Sequence, residues 1–224
     1  MAYLDAAGHK IVSDAVASAE LTTSGEIVTV LADRSDGYTD VVLVWAAAVA
    51  FTAMSLFALL PLPFLALWDR LIGGWSHEWT TGELASMTIA LGLIAFVATW
   101  ALLSWKALRF AATPGPVKTM RVHERAIDLF KVGAERRTHG RTGVLLYLSM
   151  SEHRAEIVAD EPIAAIVSAD VWGEAMADML AEIKQGHLAE GLAAGIRDVG
   201  VVLSEHFPRS DDDTNELPDR LIEI

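Results

Sequence analysis

The sequence predicts an α/β domain interrupted by a two-helix transmembrane hairpin. Three observations carry this. IVTVLA, residues 27–32, is a nearly continuous apolar run of the kind buried on both faces of a parallel sheet. Two further runs, GVLLYLSM at 143–150 and AEIVAD at 155–160, have the same character but lie far downstream. Between them sit two uncharged stretches, residues 41–68 and 84–105, each longer than the roughly 20 residues a helix needs to cross the hydrocarbon core. A lone strand cannot bury two faces, so the first run needs the later two as partners. The spans are therefore an insertion in a discontinuous domain.

Composition agrees. The 224 residues are 53% hydrophobic and 21% charged, which suits a polar module carrying a few spans. The net charge of -13 argues against nucleic-acid binding, which needs a basic surface. There are no cysteines, so disulfides, thiol chemistry and cysteine zinc sites are excluded.

The amino-terminal MAYLDAAGHKIVSDAV does not read as a signal peptide, because Asp5, His9, Lys10 and Asp14 interrupt it. Residues 3–21 show helical spacing in Ile11, Val12, Ala15, Val16 and Ala19. Thr22, Thr23, Ser24 and Gly25 stop that helix, and the strand at 27–32 ends in the turn from Asp33 to Gly37. The first span is expected at 41–60, with Pro61 and Pro63 marking where it frays into a loop over 61–83. The second is expected at 84–105. Trp45, Trp68, Trp75, Trp79 and Trp105 lie near the ends of these stretches, as interfacial aromatic belts require. Neither stretch has a polar face, which disfavours buried core helices.

Lys and Arg near the span ends set orientation. The loop holds only Arg70; the flanks hold Arg34, Lys106, Arg109, Lys118, Arg121 and Arg125. Both termini are expected in the cytoplasm, with the protein in the inner membrane. No charge sits in the middle of either span, which weakens a transporter or pump reading. Gly92 lacks a GxxxG partner.

After the spans, TPGP at 113–116 signals a linker or helix start. A helix over 117–137 carries Val122, Ala126, Leu129, Phe130 and Val132 on one side. The strands at 143–150 and 155–160 are joined by a hairpin turn through Ser151, Glu152, His153 and Arg154. Pro162 opens a short helix, and Asp170 is placed to cap a helix over 171–184 that Gly186 ends. A last helix over 188–206 has Leu192, Ile196, Val199 and Leu203 as its stripe. The predicted organisation is a cytoplasmic domain from 1–38 plus 115–208, a hairpin at 41–105, and a polar acidic tail at 209–224.

SGEI at 24–27, GVLL at 143–146, the basic turn before an I-V strand, the K-x-G-x-x-x-x-G-L-x-x-G pattern at 184–195, and HFP…NELPD at 206–219 follow one another in an order that resembles the TPM domain family, in its bacterial membrane-protein branch. The resemblance implies a sandwich with a mixed central sheet flanked by helices. It also implies the family's associations: weak acid phosphatase activity, calcium binding, and the assembly or regulation of membrane complexes. The inserted hairpin departs from the pattern of secreted members.

Candidate chemistry is sparse. Asp33 and Asp160 each end a strand, where open α/β sheets bind ligands, and two carboxylates there could hold Ca²⁺ or Mg²⁺. The competing reading is two ordinary turn residues. RRTHGRTG at 136–143 sets His139 and Arg141 beside glycines, as an anion cradle or as a basic turn facing anionic lipid. HEWTTGE at 77–83 lacks the second His of a zincin. DDDTNE at 211–216 lacks the glycine of an EF-hand loop and reads as a disordered acidic tail. GxSxG is absent, although Ser149 and Ser151 lie at a strand end. No catalytic residue is assigned, and the only cofactor suggested is Ca²⁺. The expected function is a membrane-anchored domain that binds or regulates a membrane protein. The alternative is a metal-dependent phosphatase using Asp33 and Asp160.

Overall fold

A computed structural model describes residues 3–72, 78–133, 142–210 and 215–224. In chain order the elements are α1 (Ala6–Glu20), β1 (Glu26–Ala32), α2 (Thr39–Leu59), α3 (Pro61–Ile72), α4 (Thr81–Leu103), α5 (Lys106–Ala112), α6 (Gly115–Gly133), β2 (Gly143–Ser149), β3 (Arg154–Ala159), α7 (Glu161–Ala164), α8 (Ala169–Lys184), α9 (Leu188–His206) and β4 (Ile222–Glu223). They form two compact units: Met1–Asp36 with Gly115–Ile224, and Gly37–Pro114.

The first unit is built on a sheet of order β3-β2-β1-β4. β1 and β2 run parallel with Ile27 opposite Val144 and Leu31 opposite Leu148. β3 is antiparallel to β2, and β4 is parallel to β1. The sheet is therefore mixed, as the family resemblance implied. β1 and β2 are buried along their whole length because both faces are covered. Ile27, Leu31, Val144, Leu146 and Leu148 point into a core shared with α1, α8 and α9. Val28, Val30, Leu145 and Tyr147 point the other way, against Val122, Ala126 and Phe130 of α6. Parallel neighbours need a crossover; here it contains the entire second unit.

Local chemistry explains the helix ends. Asp5 caps α1 by accepting from Gly8 N at 2.8 Å. Asp170 is not the cap of α8. Ser168 occupies that position without a side-chain hydrogen bond, and Asp170 lies in the first turn, where its charge favours the helix dipole. The expected stripe of α9, Leu192, Ile196, Val199 and Leu203, is buried.

One reading needs correcting. The segment expected to be a polar tail is part of the fold where it is described. Leu217 and Leu221 are buried, and β4 extends the sheet at Val30 and Leu31. The acidic letters hid four aliphatic residues, Leu217, Leu221, Ile222 and Ile224, whose partners lie nearly the whole chain away.

The second unit is a helical hairpin. α2 packs on α4, with Gly92 allowing close approach: a Cβ there would lie 2.5 Å from Met54 Sδ. A capping box between Thr80 and Glu83 starts α4. At the other end, Tyr38 is buried in a left-handed conformation (φ 53) and meets Phe110 edge-on at 5.4 Å. Arg109 Nη1 donates to Gly37 O at 2.9 Å, and Trp45 Nε1 to Ala112 O at 3.1 Å. The loop expected from residue 61 instead begins as α3. Pro61 is its first residue, where a missing N–H costs nothing. α2 and α4 are long and apolar enough to cross a membrane, and only 22% and 11% of their most apolar windows is buried.

Candidate functional site

The carboxyl ends of β1 and β2 lie side by side, because these strands are parallel and in register to Ala32 opposite Ser149. This is where open α/β sheets place ligand-binding groups. A buried polar network fills the position. Ser149 donates its hydroxyl to Glu152 Oε2, and Ser35 N donates to Glu152 Oε1 at 3.0 Å. Ser35 Oγ and Tyr147 Oη are 2.9 Å apart. Ser149 and Tyr147 are fully buried, and Glu152 is 5% exposed. Burial pushes the Tyr147 phenol up, so it stays a neutral hydrogen-bonding group.

The network ties the loop after β1 to the β2–β3 turn. That turn needs the help: His153 sits in the left-handed region at φ 52. Ser149 has a carboxylate at hydrogen-bonding distance but no exposed surface, so the pair fixes backbone rather than meeting a substrate. Glu152→Ala should strand a buried hydroxyl and a backbone N–H. We expect a loss of about 2–4 kcal/mol in urea unfolding, with Glu152→Gln losing less. A change below about 0.5 kcal/mol would show that the network does not hold the loop.

Asp33 stands beside this network. Its N–H donates to Ile224 O at 2.9 Å, and its carboxylate accepts from the Tyr3 hydroxyl. That hydrogen bond, reinforced by burial and by the charges of Asp33 and Glu223, pushes the Tyr3 phenol up to about 12. Asp36 lies 3.1 Å from Arg121 Nε.

Asp160 lies at the other end of the sheet. It is 2% exposed, and its Oδ2 accepts from Gly143 N, the first residue of β2, at 3.0 Å. β3 runs antiparallel, so its carboxyl end meets the amino ends of β1 and β2. With Asp33 beyond Ala32 and Asp160 level with Gly143, the two aspartates are separated by roughly the length of a seven-residue strand, about 20 Å. They cannot share a cation, and the Asp33–Asp160 metal site is withdrawn. Asp160 instead anchors the hairpin by capping the start of β2. Arg141 and His139 lie outside the described residues. Among the described residues, no group of three or more His, Cys, Asp or Glu is placed to hold a metal ion.

Sequence reasoning missed Glu152, Ser35 and Tyr147. The available signal was Ser149 with an acid three residues on, across a turn too short for the acid to escape the strand end.

Comparison with known proteins finds a family match over part of the chain. No curated protein matches the chain. The solved NMR structure of BA42 protein, from the psychrophilic bacterium Bizionia argentinensis sp. nov., is similar in fold, with a TM-score of 0.57 and 21% identity over 100% of this chain and 97% of that one. The family model of the TPM domain matches residues 113–202, which span α6, β2, β3, α7, α8 and most of α9. In this structure α1, β1 and β4 complete the sheet and core around the matched segment. The chain carries a TPM domain.

Proposed function

We propose that this is an integral protein of the inner membrane, in which α2 and α4 cross the bilayer and hold the TPM-containing unit in the cytoplasm, where it binds or regulates a membrane-protein partner. One observation carries the anchoring: the hairpin shows its apolar side chains to the outside along its length. Val44, Phe51, Leu59, Leu93 and Ile94 are each at least 62% exposed. A water-soluble protein rarely leaves so large an apolar patch open, whereas hydrocarbon satisfies it. The excess of Lys and Arg outside the α2–α4 connection supports cytoplasmic termini. The partner role is supported by the family resemblance and by the anchoring itself. The phosphatase alternative has lost the paired aspartates on which it rested.

The cysteine-free chain makes the test clean. The Glu78→Cys and Ser18→Cys variants are expressed separately and treated in intact cells with a membrane-impermeant maleimide. Both should stay in the membrane after alkaline carbonate washing. The Glu78→Cys variant should react in intact cells, and the Ser18→Cys variant only after lysis. Release by carbonate, or reaction of the Ser18→Cys variant in intact cells, would contradict the anchoring or its orientation. Cross-linking in the same membranes should give one discrete adduct with another membrane protein; its absence would remove the partner role.

A further inference from the structure

α3 is not a continuation of α2. Leu60 breaks the helical conformation (φ -130, ψ 59), and Pro61 starts a new helix. The break brings Phe64 edge-on to Phe57, with ring centroids 5.7 Å apart. Phe57 and Leu65 are buried, so α3 is packed onto the hairpin at this point. Its 12 residues reach about 18 Å at roughly 1.5 Å each, too short for a hydrocarbon core of about 30 Å. α3 therefore stays at the end of the hairpin where α2 and α4 are connected.

An apolar groove of about 270 Å³ opens there, entirely within the second unit. Phe64, Leu67 and Trp68 of α3 form one wall; Met87, Ala90, Leu91 and Ile94 of α4 form the other. The α4 residues recur at three- and four-residue spacing, so they make a single stripe. Ala90, in the middle of that stripe, is small and keeps the groove open. Trp68 is 45% exposed and does not close over it. No lining residue carries a charge. A helix about 10–12 Å across does not fit such a volume, which lies just below the roughly 300 Å³ at which small-ligand sites begin.

The polar end of α3 borders this groove. Arg70 follows Leu67 by three residues, which makes the two neighbours on the helix surface. Arg70 is exposed, and among the described residues it has no hydrogen bond or ion pair. A guanidinium matches phosphate oxygens with two parallel N–H donors. An apolar slot for a chain beside a free cation is the outline of an amphiphile with a phosphate head.

We propose that the groove between α3 and α4 binds one phospholipid of the outer leaflet, with an acyl chain against Trp68 and Ala90 and the phosphate on Arg70. The site rests on the reading of α2 and α4 as membrane spans, since the groove is continuous with their exposed apolar surface at Leu93 and Ile94. It adds to that reading a lipid held in place, distinct from the lipid that merely surrounds the hairpin.

Native mass spectrometry of the full-length, detergent-solubilised protein counts lipid adducts one by one. Titrated with dioleoylphosphatidylethanolamine, the protein should fill a one-lipid state before any second lipid binds. Arg70→Gln should weaken that first adduct by about tenfold, the loss of one charge-assisted contact. Dioleoylglycerol has the same chains and no phosphate, so the parent and Arg70→Gln should bind it equally. Ala90→Phe fills the groove and should weaken both lipids. A ladder of adducts with no favoured first step would mean surrounding lipid only and would overturn the site. So would equal phospholipid binding by the parent and Arg70→Gln, or a dimer that Ala90→Phe abolishes, which would give the groove to a second copy of this chain. Parent and variants should all stay in the membrane after carbonate washing. Release of the parent would overturn the anchoring and the site together; retention without the favoured first lipid would overturn the site alone.

Discussion

Gly191→Val is expected to abolish the cooperative unfolding transition of the α/β unit. A Cβ at position 191 would lie 2.7 Å from Ile183 Cγ1, 2.8 Å from the Met179 carbonyl oxygen and 3.2 Å from Ile183 N. Two of those three atoms are α8 backbone, so no rotamer change relieves the clash. α8 must move off α9, and Met179, Leu192 and Ile196, all fully buried, lose their packing together. The same seam is tight elsewhere: a Cβ at Gly195 would lie 3.1 Å from Met179 Cβ. Overpacking against movable side chains costs about 1–3 kcal/mol. Against backbone it should exceed about 4 kcal/mol, a large share of the roughly 5–15 kcal/mol that stabilises a domain. Gly191→Ala should fall in between, with a lowered but cooperative melt. Urea unfolding followed by circular dichroism reads all three. A Val variant within about 1 kcal/mol of the parent would mean that the α8–α9 seam is looser than described.

The parts legible in the sequence were those whose pattern is local. β1 and β2 read as apolar runs because helices cover both faces of the sheet. α9 read as a stripe because its buried side chains recur at helical spacing. Which ends of distant strands meet is not local. Asp33 and Asp160 each follow an apolar strand, and the hairpin turn at 151–154 already set β3 against β2; its consequence for the two carboxylates was not drawn. That reversal sends the two carboxylates to opposite ends of the sheet. Partners far apart in sequence were equally hidden. Ser35 meets Glu152 across 117 residues, and Glu26 meets Leu217 across 191. An acidic residue beginning an apolar strand looks like a solvated edge until the carboxyl-terminal segment that covers it is seen. α3 was missed for another reason. A proline ends a helix it interrupts but suits the first turn of the next, and position 61 serves the second role.

The family-matched segment, residues 113–202, lacks β1, the strand that joins β2 to β4. The sheet closes only if the chain leaves after β1, runs through residues 37–114, and returns. Excising the second unit should therefore convert a detergent-dependent protein into a soluble one without costing the fold. Among the described residues, both cores, the one under α1, α8 and α9 and the one under α6, draw on the two flanking segments alone. A flexible replacement also closes the β1-to-α6 connection at modest entropic cost, since loop entropy grows only slowly with length.

The decisive measurement is on a chain in which residue 36 is joined to residue 115 through a short Gly/Ser linker, purified without detergent. Size-exclusion chromatography with light scattering and a thermal melt are run on the same sample. The account predicts a monodisperse species with a single cooperative melt, while the full-length chain aggregates in the same buffer. An aggregated or non-cooperative product at every linker length, or a full-length chain that is equally soluble without detergent, would contradict it.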